Sequence, residues 1–201
     1  LAFQLYENNG VLKREQVQEY LKNLEQNERK ILRELGVKFG RYHIFLYNLI
    51  KPEAVSLRTL LWKNFNQKYF DLKPPTFGLN FLDNTKIKNK KFMLLCGFES
   101  FNNFYVRIDI LERLFVQIIN SNNLKDKDQE IKLKPEMLNL LGCNKENFKK
   151  LLKDMNYNVI QKKDDIYFKY MPKKIKNKNF NNKTSKIKEN PFGILKNLNL
   201  S

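Results

Sequence analysis

Residues 135–170 read PEMLNLLGCNKENFKKLLKDMNYNVIQKKDDIYFKY, and the predicted fold follows from this stretch. Pro135 is suited to the first turn of a helix, and Gly142 follows at a place where that helix would end. Asn144 is a favourable N-cap residue for a second helix. Residues 157–170 contain two β-prone segments joined through Lys-Asp-Asp, which predict a β-hairpin.

The second helix has a continuous apolar face. Its apolar residues recur at helical spacing: Phe148, Leu151, Leu152 and Met155. A further amphipathic segment, 107–119, precedes it in the chain. Helix, helix, tight glycine turn, helix and hairpin is the order of a winged helix-turn-helix. We therefore predict a winged-helix-like unit with a β-hairpin over residues 92–171.

The first half of the chain is richer in helical patterns. Apolar residues at spacings of three and four predict one amphipathic helix over residues 13–35, interrupted near Asn27. Residues 37–46 are rich in β-branched and aromatic side chains and predict a strand bent at Gly40. Pro52 then begins a further helix.

We assign these segments to a helical accessory domain over residues 1–80. A short apolar run, 92–98, is typical of a buried strand, and a domain boundary is expected between residues 73 and 91. No internal repeat is visible in the sequence. The predicted fold class is mainly α (α+β).

The composition changes after residue 171. Residues 172–190 contain many lysines among asparagines and little to bury, so we predict a basic disordered linker. Residues 191–201 regain apolar side chains. They predict a short C-terminal apolar motif that docks onto its own protein or onto a partner, with a frayed end as the alternative.

The charge of the chain points to a polyanionic partner. Its 201 residues carry 38 Lys and Arg against 21 Asp and Glu, a formal net charge of +17. Such an excess favours nucleic acid as the first partner to consider. Codon bias in an AT-rich genome is an alternative source of part of the lysine excess.

Other classes of protein are disfavoured. Two cysteines and one histidine cannot form a four-ligand Cys/His zinc site, and they give no disulfide framework, which suits a reducing cytoplasm. No stretch approaches eighteen consecutive apolar residues, and no signal peptide is recognised at the N-terminus. We expect a cytoplasmic protein with no membrane partner and no metal site.

Catalytic motifs are missing from the sequence. It has no P-loop, no G-x-G-x-x-G, no G-x-S-x-G and no H-E-x-x-H. His43 lies in an aromatic, strand-like run with no carboxylate nearby in sequence, so we interpret it as structural. Cys96 and Cys143 are interpreted as packing residues, and Glu112 and Arg113 as part of a solvated helix face. We assign no catalytic residue to this chain.

The candidate nucleic-acid contacts are lysines of the predicted winged-helix-like unit. Four lie on its last helix and three on its hairpin: Lys145, Lys149, Lys150, Lys153, Lys162, Lys163 and Lys169. Lysines of this kind contact phosphates and position a protein without reading bases. The alternative is an ordinary solvated helix face, and winged units also serve as protein-protein modules.

Several segments carry a family resemblance. They include LGVKFGRY at 35–42, LIKPEA at 49–54, LLGC at 140–143 and PFGIL at 191–195, with shorter matches at 3–12, 44–46, 109–114 and 148–157. In this order they resemble the region that follows the motor domains in alphaproteobacterial superfamily-two helicases related to the mitochondrial degradosome RNA helicase. The chain departs from that pattern at Tyr47, where the family would have a proline.

The resemblance implies a role for the chain. It would be the C-terminal region that binds or guides nucleic acid, RNA or DNA, in an ATP-dependent helicase whose motor domains precede Leu1. ATP and Mg²⁺ would belong to those motor domains, and this chain would hold no cofactor. The motor domains would be partners in cis, with a nuclease or a ribosomal component as a further partner. The alternatives are a free-standing winged-helix DNA-binding regulator and a protein-interaction scaffold.

Overall fold

Helices and short strands alternate along the whole described part of the chain. A computed structural model describes residues 1–83, 89–121, 130–162 and 165–171. Within these ranges the strands form three separate three-stranded antiparallel sheets. The α+β class is therefore confirmed.

The first group of elements, repeat 1, spans residues 2–46. It comprises α1 (Ala2–Glu7), β1 (Val11–Lys13), α2 (Gln18–Asn23), α3 (Gln26–Glu34), β2 (Val37–Phe39) and β3 (His43–Leu46). The strand order in its sheet is β1-β3-β2. The predicted single helix is divided between α2 and α3, because Glu25 forms a capping box with Glu28 and begins a new helix there.

The second group, repeat 2, spans residues 52–107. It comprises α4 (Pro52–Phe65), β4 (Phe81–Asp83), α5 (Lys90–Leu95), β5 (Phe98–Ser100) and β6 (Phe104–Arg107). Its strand order is β4-β6-β5. The strand predicted over residues 92–98 is wrong for most of its length. Asn89 caps a helix instead, accepting a hydrogen bond from the Phe92 amide, and the chain becomes a strand only at Phe98.

The third group, repeat 3, spans residues 108–170. It comprises α6 (Ile108–Ser121), β7 (Ile131–Lys132), α7 (Pro135–Leu141), α8 (Lys145–Asp154), β8 (Tyr157–Lys162) and β9 (Asp165–Tyr170), with strand order β7-β9-β8. The predicted helix boundaries here are confirmed. Gly142 ends α7 at φ 68°, a left-handed conformation that suits glycine, and Asn144 accepts a hydrogen bond of 2.8 Å from the Asn147 amide.

The three groups share one topology. Each runs from a helix to a first strand, then through further helix to a hairpin, and in each the first strand pairs with the last strand. The sequence shows no repeat because what recurs is the order and pairing of elements, and the side chains that fill each unit differ. The described residues between 2 and 170 thus form a tandem array of three like units.

The repeats have their own cores and meet around a shared one. Each repeat has a buried cluster, which includes Ile44 in repeat 1, Phe92 in repeat 2 and Leu151 in repeat 3; the repeat 3 cluster also contains Val106 of repeat 2. A fourth cluster joins side chains of all three repeats and of the segment between the first two: Val11, Phe45, Ile50, Leu94 and Ile108. Residues 1–171 accordingly pack as one compact unit.

The predicted domain division at residues 73–91 stays a prediction. Within that interval, strand β4 pairs with β6 of the same repeat. The predicted linker at 172–190 and the C-terminal motif at 191–201 lie outside the described residues.

Candidate nucleic-acid interface

Helix α8 is held in place by its apolar face. Phe148, Leu151 and Leu152 are fully buried in the core of repeat 3. Since these positions share one arc of the helix, the residues between them face away from the core. The apolar spacing thus determines which lysines can reach a ligand.

The predicted lysines separate into groups in the structure. Lys145, Lys150 and Lys153 are exposed on α8. Lys149 is partly buried and donates a hydrogen bond of 2.9 Å to the side chain of Gln161 on β8. Of the four lysines predicted on α8, Lys145, Lys150 and Lys153 are therefore the most accessible to a polyanion.

The hairpin contributes less free charge than the sequence suggests. Lys162 is exposed but its ammonium group lies 2.5 Å from a carboxylate oxygen of Glu130. Lys169 is partly buried, and Lys163 lies outside the described residues. An exposed ion pair of this kind is weak, so a phosphate could compete with Glu130 for Lys162.

A second polar cluster surrounds His43, far from α8 in sequence. The two ring nitrogens of the buried imidazole contact two different carboxylates, Glu112 at 3.1 Å and Glu99 at 2.8 Å. Lys13 donates a hydrogen bond of 2.8 Å to Glu99. We call His43, Glu99, Glu112 and Lys13 the histidine clamp. Its members come from all three repeats, so its hydrogen bonds connect the repeats to one another.

Glu112 also binds the turn between β2 and β3. Its carboxylate accepts hydrogen bonds from the backbone amides of Arg41 at 2.5 Å, Tyr42 at 3.0 Å and His43 at 2.8 Å. A Cβ atom on Gly40 would lie 2.4 Å from the carboxyl carbon of Glu112, so only glycine allows this approach. The interpretation of Glu112 as part of a solvated face is wrong, since the residue is buried.

The clamp favours a charged histidine. Neutral imidazole carries one N–H, whereas two ionised carboxylates offer only acceptors to its two nitrogens. Burial acts to lower the pKa of His43, but the hydrogen bonds to Glu112 and Glu99 outweigh it and the pKa is raised. Burial acts to raise the pKa of Glu99, but the hydrogen bonds from His43 and Lys13 outweigh it and this pKa is lowered.

A cavity of about 430 Å³ opens beside the clamp, between repeats 1 and 3, and Glu99 and Phe101 of repeat 2 also line it. Repeat 1 contributes its basic side chains, and repeats 1 and 3 contribute most of its aromatic ones; these residues include Lys13, Arg14, Arg41, Tyr42, Phe115 and Tyr170. The rings of Tyr42 and Phe115 are 4.0 Å apart between centroids. We call this space the inter-repeat cleft.

The cysteines show no sign of reactivity. Cys96 lies in the core of repeat 2, and burial raises the pKa of its thiol to about 12. Cys143 packs against the core of repeat 3, and burial raises its pKa to about 11. Both thiols are protonated near neutral pH, which agrees with their interpretation as packing residues.

Metal-ligand clusters and membrane-spanning helices are both missing from the described residues. No group of three or more His, Cys, Asp or Glu side chains is placed to hold a metal ion within the part of the chain that the structure describes. No described helix has the length and apolar character needed to cross a membrane.

Comparison with protein-family models, with curated proteins and with solved structures finds no match for this chain.

The histidine clamp could not be found from sequence patterns. Glu99 and Glu112 are 56 and 69 residues from His43 in the chain, so no local spacing links them. The one local signal was Gly40, which breaks the β-prone run directly before the turn that Glu112 binds.

Proposed function

We propose that this chain is a nucleic-acid-binding region built from three tandem winged-helix-like units, and that it guides a strand for an ATP-dependent helicase. The topology supports the first part: in repeats 1 and 3 the order helix, strand, helix, helix and hairpin, with the first strand paired to the last, is the arrangement of a winged helix-turn-helix. Repeat 2 has the same strand pairing with a single described helix, α5, between its first strand and its hairpin. A cytoplasmic location belongs to the same proposal.

The single observation that carries the proposal is the surface of α8. In a helix-turn-helix the second helix makes the main contact with nucleic acid. In repeat 3 that helix is α8, anchored by Phe148 and Leu151 and exposing Lys145, Lys150 and Lys153. These side chains can bind phosphates while the apolar face stays in the core, so binding requires no unfolding of the unit.

The helicase part of the proposal depends on the family resemblance. It makes the chain an accessory region that holds a strand, while separate motor domains would bind ATP and Mg²⁺. The strand can be RNA or DNA, because ammonium-phosphate contacts do not distinguish the two. A nuclease or ribosomal component remains a proposed further partner.

The test is the salt dependence of binding to a labelled oligonucleotide. For duplex DNA the slope of log K against log salt is about −0.9 per phosphate neutralised, so five phosphates would give about −4.5. We expect the triple variant Lys145→Gln, Lys150→Gln, Lys153→Gln to weaken binding and to make the slope shallower by about 2.7 units.

A matched control removes the same charge elsewhere. Lys22, Lys30 and Lys38 of repeat 1 are exposed, and replacing all three by Gln lowers the net charge equally. This control should change the slope by less than one unit. Equal effects of the two triple variants would refute the assignment to α8, and a flat salt dependence of the wild-type chain would refute nucleic-acid binding through cations.

A protein-interaction scaffold is the second candidate, favoured by the surface of α4. Leu57, Leu60, Leu61 and Phe65 lie on this helix and are more than half exposed, Phe65 at 90%. Exposed apolar side chains clustered on one helix are typical of a protein contact. Replacing Leu57 and Leu61 by Gln should abolish capture of a nuclease or ribosomal partner while leaving oligonucleotide affinity unchanged.

A further inference from the structure

We propose that the inter-repeat cleft binds one unpaired nucleotide of a nucleic-acid strand, with its phosphate near Arg41 and its base against Tyr42 and Tyr170. This inference rests on the proposed function, since it names a second contact for the same ligand class. It adds a site that none of the candidate lysines belongs to.

Among the described cations that line the cleft, Arg41 is the one whose side chain makes no hydrogen bond. Lys13 is engaged by Glu99, and Arg14 donates a hydrogen bond of 2.8 Å to the carbonyl of Gly40. Arg41 is exposed and its side chain makes no hydrogen bond or ion pair with another side chain within the described ranges, although its backbone amide is held by Glu112. A fixed backbone with an unpaired guanidinium is well suited to bind a phosphate in two-pronged geometry.

Aromatic rings supply the second element of nucleotide recognition. Tyr42 is 37% exposed and Tyr170 is 48% exposed, and both line the cleft. Tyr170 packs edge-on against Tyr157 with centroids 5.3 Å apart, and Tyr42 packs on Phe115, so both rings are supported from behind. Supported rings beside a cation are the usual elements of single-strand binding, because every base can stack on them.

An unpaired acceptor in the cleft matches the polar edge of a nucleotide. Asp154 lines the cavity, and one of its carboxylate oxygens accepts from Asn102 at 2.8 Å. The other oxygen is buried and has no partner among the described residues. A buried acceptor without a donor is costly, and an exocyclic amino group or a ribose hydroxyl could supply that donor.

The remaining carboxylates do not make the cleft repel a phosphate. Glu99 is neutralised by Lys13 and His43, and Glu15 is exposed to solvent. The volume of about 430 Å³ lies in the range of small-ligand pockets and is too small for a base pair with both backbones. The cleft should therefore prefer an unpaired nucleotide to a duplex.

The experiment compares a labelled 12-nucleotide single strand with the corresponding blunt duplex by fluorescence anisotropy, using the full chain. Arg41→Ala and Tyr170→Ala should each weaken single-strand binding at least about fivefold and change duplex binding less than about twofold. Arg113→Ala is the matched control, because Arg113 is exposed on α6 and does not line the cleft. Thermal melts of each variant establish that it is folded.

The outcomes distinguish failure of the cleft inference from failure of the proposed function. If the α8 triple variant weakens binding while Arg41→Ala and Tyr170→Ala leave single-strand affinity within twofold of wild type, the cleft inference is overturned and the proposed function stands. Equal losses on single strand and duplex also overturn the cleft inference. If neither oligonucleotide binds, both proposals fail together.

Discussion

Glu112→Gln is the substitution that tests the histidine clamp most sharply. The carboxylate accepts four hydrogen bonds, three from backbone amides of the 41–43 turn and one from the His43 ring. Glutamine keeps the shape but offers one acceptor oxygen, so the Arg41 amide would face an NH₂ group. Losing one buried bond and the charge assistance of the others should lower the free energy of unfolding by about 2–4 kcal/mol.

Urea unfolding of the full chain followed by circular dichroism measures this change. We expect a lower midpoint with an unchanged slope, because the substitution alters stability and leaves the surface exposed on unfolding as it was. Glu34→Gln is the control, since Glu34 is exposed on α3, and it should change stability by less than about 0.5 kcal/mol. A Glu112→Gln protein as stable as the control would show that the hydrogen bonds of Glu112 do not stabilise the fold.

Three further predictions concern the same architecture. The pKa of His43 is raised from its ordinary value of 6.5, so the stabilisation of the fold by charged His43 is fully present below pH 6.5 and is lost as pH rises through the folded pKa. Urea midpoints measured from pH 6 to 9 should therefore fall more for the wild type than for His43→Gln. Parallel curves would contradict this. Gly40→Ala should lower the free energy of unfolding by about 1–3 kcal/mol, because the new Cβ would meet the Glu112 carboxylate. The double variant Gly40→Ala, Glu112→Ala should lose less free energy than the sum of the two single variants. Additive losses in this double-mutant cycle would exclude the close contact between Gly40 and Glu112. Asn144→Ala removes the N-cap of α8 and should lower the free energy of unfolding, measured by thermal melts, by about 1 kcal/mol. The control Asn158→Ala, at an exposed position, should change it little. Equal losses of stability in the two variants would refute the capping role of Asn144.

The third repeat could be predicted because its boundaries are set by local chemistry. Gly142 and Asn144 act on the backbone within a few residues of themselves, and the apolar arc of α8 is readable from spacing alone. The hairpin follows from β-prone segments that border a short polar turn. Such signals need no information from distant parts of the chain.

The second repeat resisted the same reasoning for a physical reason. The run at 92–98 is apolar almost throughout because α5 is buried on most of its surface, including Phe92, Met93 and Leu95. A short helix buried on most sides has no polar face, so its pattern matches that of a buried strand. The capping role of Asn89 was the local signal that distinguishes them.

The polar cluster was beyond prediction for a different reason. Glu112 stands among residues of mixed polarity on α6, and from spacing alone it belongs to a solvated face. It is buried only because the 41–43 turn of repeat 1 packs against it. Contacts between tandem units arise from their packing, which the sequence of either unit does not contain.

Amide hydrogen exchange with and without a saturating oligonucleotide is the most direct test of nucleic-acid contact through α8. We expect peptides covering residues 145–153 and the adjoining strand 157–162 to gain protection on binding. Protection confined to α4, with no change over residues 145–153, would show that α8 does not contact the nucleic acid.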